Sequence, residues 1–301
     1  MKKIIISGAT GMIGVSLAQY ALEQGYEVLC LVRESSSRIN NLPKFVKIMY
    51  ADLKDFQNIN IHDQYDMFYH FAWDKTWGTS RDDIKIQLNN IQYTIDAINL
   101  AKRSGCKKFI GGGSQAEYGP VSVPLRTDTP ANPQSGYGIA KYTAGKLGKI
   151  LCDQLKIHFN WVRILSVFGP LDAEHTLIMY TIKELLAGHS LKLTKCDQIW
   201  DYLYCDDAAR ALLDIGNKGI NGKNYPLGSG CSSKLSEYLN IIKRTANPNG
   251  VLLFGEKEYY PYQPMFLCAD ISELSKDTGW VPKTNFSEGI QKTIEIYQSI
   301  S

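Results

Sequence analysis

The sequence has no apolar run approaching the ~18 residues that a membrane-spanning helix needs. It also lacks any block of like charge: the net charge is +3, and no basic run concentrates it. Neither a membrane nor a nucleic acid is therefore expected as a partner. No C-x-x-C pair occurs, and the seven cysteines (Cys30, Cys106, Cys152, Cys196, Cys205, Cys231 and Cys268) are scattered and odd in number. That spacing argues against a disulfide framework or a zinc site and for reduced, mostly core thiols in a cytoplasmic protein. Internal repeats and low-complexity tracts are missing too, and 44% hydrophobic with 21% charged residues is the composition of an ordinary folded chain. Lys2 and Lys3 precede apolar residues, but glycines interrupt the run and no small-residue cleavage site follows, so no signal peptide is expected. A chain of 301 residues suits one large α/β domain with a smaller lobe.

What is present is organised around residues 3–14, Lys-Ile-Ile-Ile-Ser-Gly-Ala-Thr-Gly-Met-Ile-Gly. Ile4, Ile5 and Ile6 have the pattern of a strand buried on both faces of a parallel sheet. Gly8, Gly11 and Gly14 follow at three-residue spacing, and Val15 to Gln24 reads as an amphipathic helix closed by Gly25. A strand entering a helix through glycines aims free N–H groups and the positive helix end at one point. That point suits a dinucleotide pyrophosphate.

Strand-like runs continue at Glu27–Val32, Val46–Tyr50, Met67–Phe71 and Lys108–Gly112, with a long helix over about Asp83–Arg103 closed by Gly105. The rhythm predicts an α/β fold, a doubly wound parallel (Rossmann) sheet over residues 1–170. A helix from about Tyr137 to Leu155 and an apolar strand near Phe159–Val167 complete it. After Gly169-Pro170 the alternation breaks. Helices are expected over Leu177–Ala187, Asp206–Ile215, from the capping-box-like Asp270-Ile-Ser-Glu273 to Gly279, and over about Glu288–Tyr297, with a strand at Ser190–Leu193. Residues 171–301 read as a smaller substrate-binding lobe interleaved with the first.

At the end of the second strand, Arg33 stands where an acidic residue would hydrogen-bond the ribose hydroxyls of NAD. Ser35–Ser37 and Arg38 follow. A guanidinium with hydroxyls suits a 2′-phosphate, which favours NADP(H); NAD(H) is the alternative if Glu34 takes the ribose. Asp52, after the third strand, is placed to accept from the adenine amino group. Tyr137 and Lys141 are spaced i, i+4, on one helix face. A free tyrosine titrates at about 10, and a nearby ammonium favours its phenolate. Ser114, at a strand end, offers a hydroxyl to the same substrate oxygen, or to its own backbone.

Together these residues resemble the extended short-chain dehydrogenase/reductase family of nucleotide-sugar epimerases, dehydratases and reductases. The resemblance covers nearly the whole chain. It rests on Gly8-x-x-Gly11-x-x-Gly14, Asp52-Leu53, His70-Phe-Ala72, Asn90, Ser114-x-x-x-Tyr118-Gly119, Tyr137-x-x-x-Lys141, Arg163 with Gly169-Pro170, Asp201 through Asp206-Asp207, and Leu274 with Gly279-Trp280. It implies a nicotinamide cofactor held by Gly8, Thr10, Gly11, Met12, Ile13, Gly14, Arg33, Arg38, Asp52, Leu53, Phe71, Ala72 and Lys141. It implies a nucleoside-diphosphate sugar as the substrate partner, met by Asn90, Gln115, Ser166 and Trp200. By resemblance Tyr137 is the acid/base, Lys141 binds the nicotinamide ribose and lowers the tyrosine pKa, and Ser114 holds the reacting oxygen. Family members often dimerise through the helices that hold Ile84–Ile98 and Ala140–Leu151, so a homodimer is expected.

The sequence departs from the family pattern in places. Gln115-Ala116 stands where dehydratases carry Asp-Glu, which argues against 4,6-dehydration. Ser166 replaces the usual Asn, and Trp200 precedes Asp201 where an Arg often meets the substrate diphosphate; Trp200 either stacks on a base or fills the core. His70 has no His/Asp/Glu cluster around it in sequence and reads as a packed or backbone-bonded histidine, so no metal site is expected. Asp206 and Asp207 read as a helix cap. The expectation is an NADP(H)-dependent oxidoreductase that reduces a nucleotide-activated keto-sugar. The alternatives are a sugar epimerase with tightly held cofactor and a non-catalytic NADP(H)-sensing protein.

Overall fold

A computed structural model, which describes residues 1–260 and 263–300, has twelve strands and eight α-helices among those residues. The strands are β1 (Lys3–Ser7), β2 (Glu27–Val32), β3 (Lys47–Tyr50), β4 (Met67–His70), β5 (Lys108–Ser114), β6 (His158–Ile164), β7 (Ser166–Phe168), β8 (Leu191–Lys192), β9 (Ile199–Tyr204), β10 (Asn224–Leu227), β11 (Ser232–Lys234) and β12 (Leu252–Leu253). The helices are α1 (Met12–Glu23), α2 (Ile84–Arg103), α3 (Gly136–Leu155), α4 (Leu177–Leu186), α5 (Cys205–Lys218), α6 (Leu235–Ala246), α7 (Ser272–Thr278) and α8 (Phe286–Ile300). Among the described residues no helix is long and apolar enough to cross a membrane.

Seven strands form one parallel sheet in the order β10-β6-β5-β4-β1-β2-β3. Side chains alternate across a strand, so a strand covered on both faces must be apolar throughout. Ile4 and Ile6 pack with Leu17, Ala18 and Ala21 of α1 and Leu212 of α5, while Ile5 packs on the other face with Ala97 and Ile98 of α2 and Ala144 of α3. The sheet is thus doubly wound, as the alternation predicts. The strand order reverses between β1 and β4, which opens a crevice at their carboxyl ends.

Past residue 170 the chain divides its contributions. α5 covers the first face of the large sheet and β10 extends its edge beside β6. A three-stranded sheet, β11-β9-β7, and the helices α4, α6 and α8 build a separate cluster around Phe168, Ile182, Leu239 and Ile290. The single strand expected over Phe159–Val167 is two. The chain leaves the large sheet at Leu165, whose N–H goes to Leu227, and Ser166–Phe168 pairs with β9 instead.

Asp206 and Asp207 do not cap α5, which starts at Cys205 with no side-chain cap. Asp207 is buried and accepts from the N–H groups of Lys283 (3.0 Å) and Thr284 (2.7 Å) and from Arg210. It anchors the chain that follows α7. Burial of a carboxylate demands such partners, and these lie far along the sequence.

Candidate active site

The glycine turn folds as its spacing requires. Gly8 has φ +72°, and a Cβ there would lie 2.6 Å from the Ala72 nitrogen. A Cβ at Gly14 would lie 2.4 Å from the Gly8 oxygen, so both positions hold β1, α1 and the loop after β4 in close contact. Gly11 differs: a Cβ there would meet only the Gly8 oxygen, at 3.4 Å, and otherwise open space. α1 starts at Met12 with no side-chain cap, so the N–H groups of its first turn, which includes Ile13, need an outside acceptor. Glycine-cleared space before an uncapped helix end fits a pyrophosphate.

A cleft of about 470 Å³ runs from this turn along the sheet edge. Gly8, Thr10 and Gly11 line it, as do Arg33, Ser35–Ser37 and Arg38 at its exposed rim and Asp52, Leu53, Phe71 and Ala72. Ser36 Oγ donates to Thr10 Oγ1 at 3.2 Å, tying the serine loop to the glycine turn. The cofactor residues expected from sequence therefore converge, except that Met12, Ile13 and Gly14 sit behind the turn and Lys141 lies deeper. Glu34 is exposed and does not line the cleft.

Trp73 closes the inner end of the cleft, and beyond it stands Tyr137. Tyr137 is in the first turn of α3, whose start is fixed twice: Ser135 Oγ accepts the Gly138 N–H at 3.1 Å, and Asp82 accepts the Gly136 N–H at 2.6 Å. The Ser114 hydroxyl accepts the Ala116 N–H at 3.2 Å and lies near the Tyr137 phenol. Burial pushes the phenol above its ordinary value; the nearby Ser114 hydroxyl and the charge of Arg81 pull it back. Ser114 pairs with Ile164 at the end of β5, next to Leu165 and Ser166, which line a second cavity of about 650 Å³.

Lys141, one turn on from Tyr137, is buried and donates to the Gly112 carbonyl at 2.6 Å. Its Nζ is 3.8 Å from the Trp73 ring centroid and 5.8 Å from that of Tyr137. Burial pushes its amine down to about 7, against a raising pull from Glu117. His70 lies in the same buried layer, with Nδ1 at 2.7 Å from Ser7 Oγ and Nε2 at 3.5 Å from Thr94 Oγ1. It is a packed histidine, held by hydroxyls rather than by backbone. Burial, then the Lys141 charge, lowers its pKa to about 3, so it stays neutral.

Glu117 supports Ser114 from below. It accepts the Ser114 N–H (2.8 Å), the Trp161 indole N–H (2.9 Å) and Arg163 Nε (2.8 Å), and is fully buried. A Cβ at Gly113 would lie 2.4 Å from Trp161 and 2.5 Å from Glu117, so the glycine run of β5 makes room for this cluster.

The second cavity holds Ser166, Trp200, Tyr202, Asp172 and His175. Trp200 lines it and donates to Ser166 Oγ at 2.8 Å. Trp77 stacks near His175, ring centroids 4.2 Å apart, and joins the loop after β4 to this wall. Two expected substrate contacts lie elsewhere. Asn90 is buried, its amide spent on the Asp74 N–H (2.8 Å) and carbonyl (2.9 Å), and it lines neither cavity. Gln115 follows Ser114, half-buried, and lines neither cavity either. Sequence reading missed Trp73 and Arg81, because no spacing connects a loop after β4 to a helix fifty-odd residues later.

Comparison with known proteins places this geometry. Residues 4–228 match the NAD dependent epimerase/dehydratase family. The chain is 25% identical over 306 residues to CDP-abequose synthase of Salmonella muenchen, covering 98% of each. It is 25% identical over 319 residues to UDP-glucose 4-epimerase of Mycolicibacterium smegmatis, covering 99% of each. The solved structure of UDP-glucose 4-epimerase from Thermotoga maritima with UDP-glucose has the same fold, with TM-score 0.91 at 22% identity over 99% of each chain. The chain belongs to the NAD dependent epimerase/dehydratase family, and it is an enzyme.

Proposed function

We propose that the protein reduces the carbonyl of a nucleotide-activated keto-sugar with NADPH. The observation that carries this reading is the placement of Tyr137 beside the Ser114 hydroxyl, with the cleft wall Trp73 next to Tyr137 and the cavity residues Leu165 and Ser166 next to the end of β5. Bound in the cleft, a nicotinamide dinucleotide would supply the hydride. Ser114 holds the carbonyl oxygen and Tyr137 gives it a proton. Lys141, with its amine pushed down to about 7, exchanges protons near neutrality in the same layer.

Dehydration has no base here. Gln115 and Ala116 carry no carboxylate, and the Glu117 carboxylate is saturated by three donors. The preference for NADPH over NADH rests on Arg33, Arg38 and Ser35–Ser37 at the cleft rim, which suit a 2′-phosphate. Exposed Ile84, Leu88, Ile139, Leu147 and Ile150 on α2 and α3 suit pairing of two copies. A second reading, epimerisation with a retained cofactor, is favoured by the full-length similarity to a UDP-glucose 4-epimerase.

The test of the proton role is Tyr137→Phe, which removes one oxygen. Cofactor affinity should survive while turnover falls by about 10²–10⁴. Unchanged turnover on the substrate would remove Tyr137 as the acid.

A further inference from the structure

We propose that Arg81 is a positioning residue for Tyr137: its guanidinium, held over the phenol ring by the turn after β4, is the permanent cation that favours the phenolate. The inference rests on Tyr137 being the acid–base group proposed above.

The geometry is specific. Arg81 Cζ lies 4.6 Å from the centroid of the Tyr137 ring. Among the described residues the Arg81 Nε is buried with no hydrogen-bond partner. Arg81 is half-buried, and the buried Nε that lacks a partner leaves the Tyr137 ring as the guanidinium's specific contact. The turn is also fixed in place. Residues Thr79–Asp82 follow Gly78, which has φ +72°, and the Arg81 N–H returns to the Gly78 carbonyl at 3.2 Å. The neighbouring Asp82 carboxylate takes the Gly136 N–H, so the turn that carries Arg81 is bonded to the residue before Tyr137.

Among the described residues four charged groups lie around Tyr137. Arg81 and Asp82 come from the turn, Lys141 from α3, and Glu117 from the turn after β5. Asp82 is engaged at the helix start, and Glu117 is neutralised by Arg163. Lys141 is the more distant cation, spends a proton on Gly112, and loses its charge as pH rises through about 7. Arginine keeps its charge across the whole working range. Above neutrality Arg81 is therefore the cation that remains beside the phenol.

The test reads ionisation directly. The full chain is labelled with [¹³Cζ]tyrosine, and the Tyr137 signal is assigned by its loss in Tyr137→Phe. Wild type, Arg81→Met and Arg81→Lys are then titrated from neutral pH to the onset of alkaline unfolding. An opposite charge at 4–6 Å lowers a pKa by about 1–3 units, so the Arg81→Met curve should move up by that much. Arg81→Lys, which keeps the charge, should fall between the two. Superimposable curves for wild type and Arg81→Met, flat ones included, overturn the inference. Arg81→Gln carries the same comparison should Arg81→Met not fold. The readout needs no turnover, so failure here is distinct from Tyr137→Phe retaining activity.

Discussion

The Nζ of the buried Lys141 lies 3.8 Å from the centroid of the Trp73 ring. Cation–π attraction and the Gly112 carbonyl compensate part of the cost of burying the charge. They do not compensate all of it, because the amine is pushed down to about 7 from the ordinary lysine value of 10.5.

A depressed lysine has a defined linkage. Between about pH 7 and 10.5 the unfolded chain binds more protons at this site than the folded one, so stability from this group rises with pH across that window. Below about 7 both states carry the charge and the folded state bears its full cost. Lys141→Met should therefore stabilise the fold most at pH 6, by on the order of 5 kcal/mol, and the gain should shrink towards pH 10. Melting curves at pH 6, 8 and 10 check this. A gain that grows with pH would show that the lysine is not held neutral by burial.

Glu117 and Arg163 form a buried pair, with side chains 1% and 5% exposed. Removing one partner leaves the other charge uncompensated, which typically costs about 3–5 kcal/mol. Glu117→Ala should lose that much in a urea titration, and it also frees the Ser114 N–H and the Trp161 indole. A loss below about 1 kcal/mol, the value of an exposed pair, would mean that the cluster is not buried as described.

Arg33 stands at the cleft rim. Arg33→Ala should weaken NADPH binding by about 1.5–3 kcal/mol, the scale of a charge-assisted hydrogen bond, and leave NADH nearly unchanged. Fluorescence titration with both cofactors decides it. Equal losses would show that Arg33 does not read the 2′-phosphate.

Much of this architecture was legible in the chain. Ile4–Ile6 and the glycines announce β1 and the turn because a strand buried on both faces and a helix packed against it each leave a local pattern. Lys141 falls on the face of Tyr137 by helix periodicity alone. The break at Leu165 left no such mark, since β6 and β7 run on with no glycine, proline or turn residue between them and only their partners, β10 and β9, separate them. Asp207 looked like a cap because helix starts and buried anchors use the same carboxylate. Arg81 and Trp73 reach Tyr137 only through the tertiary fold, so their roles appear once α3 and the loop after β4 are in contact.

The direction of the reaction is measured most directly by following NADPH absorbance beside product analysis on a panel of nucleotide 4-keto-sugars and their hydroxy counterparts. An epimerase returns its hydride in each cycle, whereas a reductase must exchange cofactor at every turnover. The protein should purify mostly without nucleotide and oxidise one NADPH for each keto-sugar converted. Interconversion of two hydroxy-sugars by the protein as purified, with no net change in NADPH, would contradict reduction and establish the epimerase.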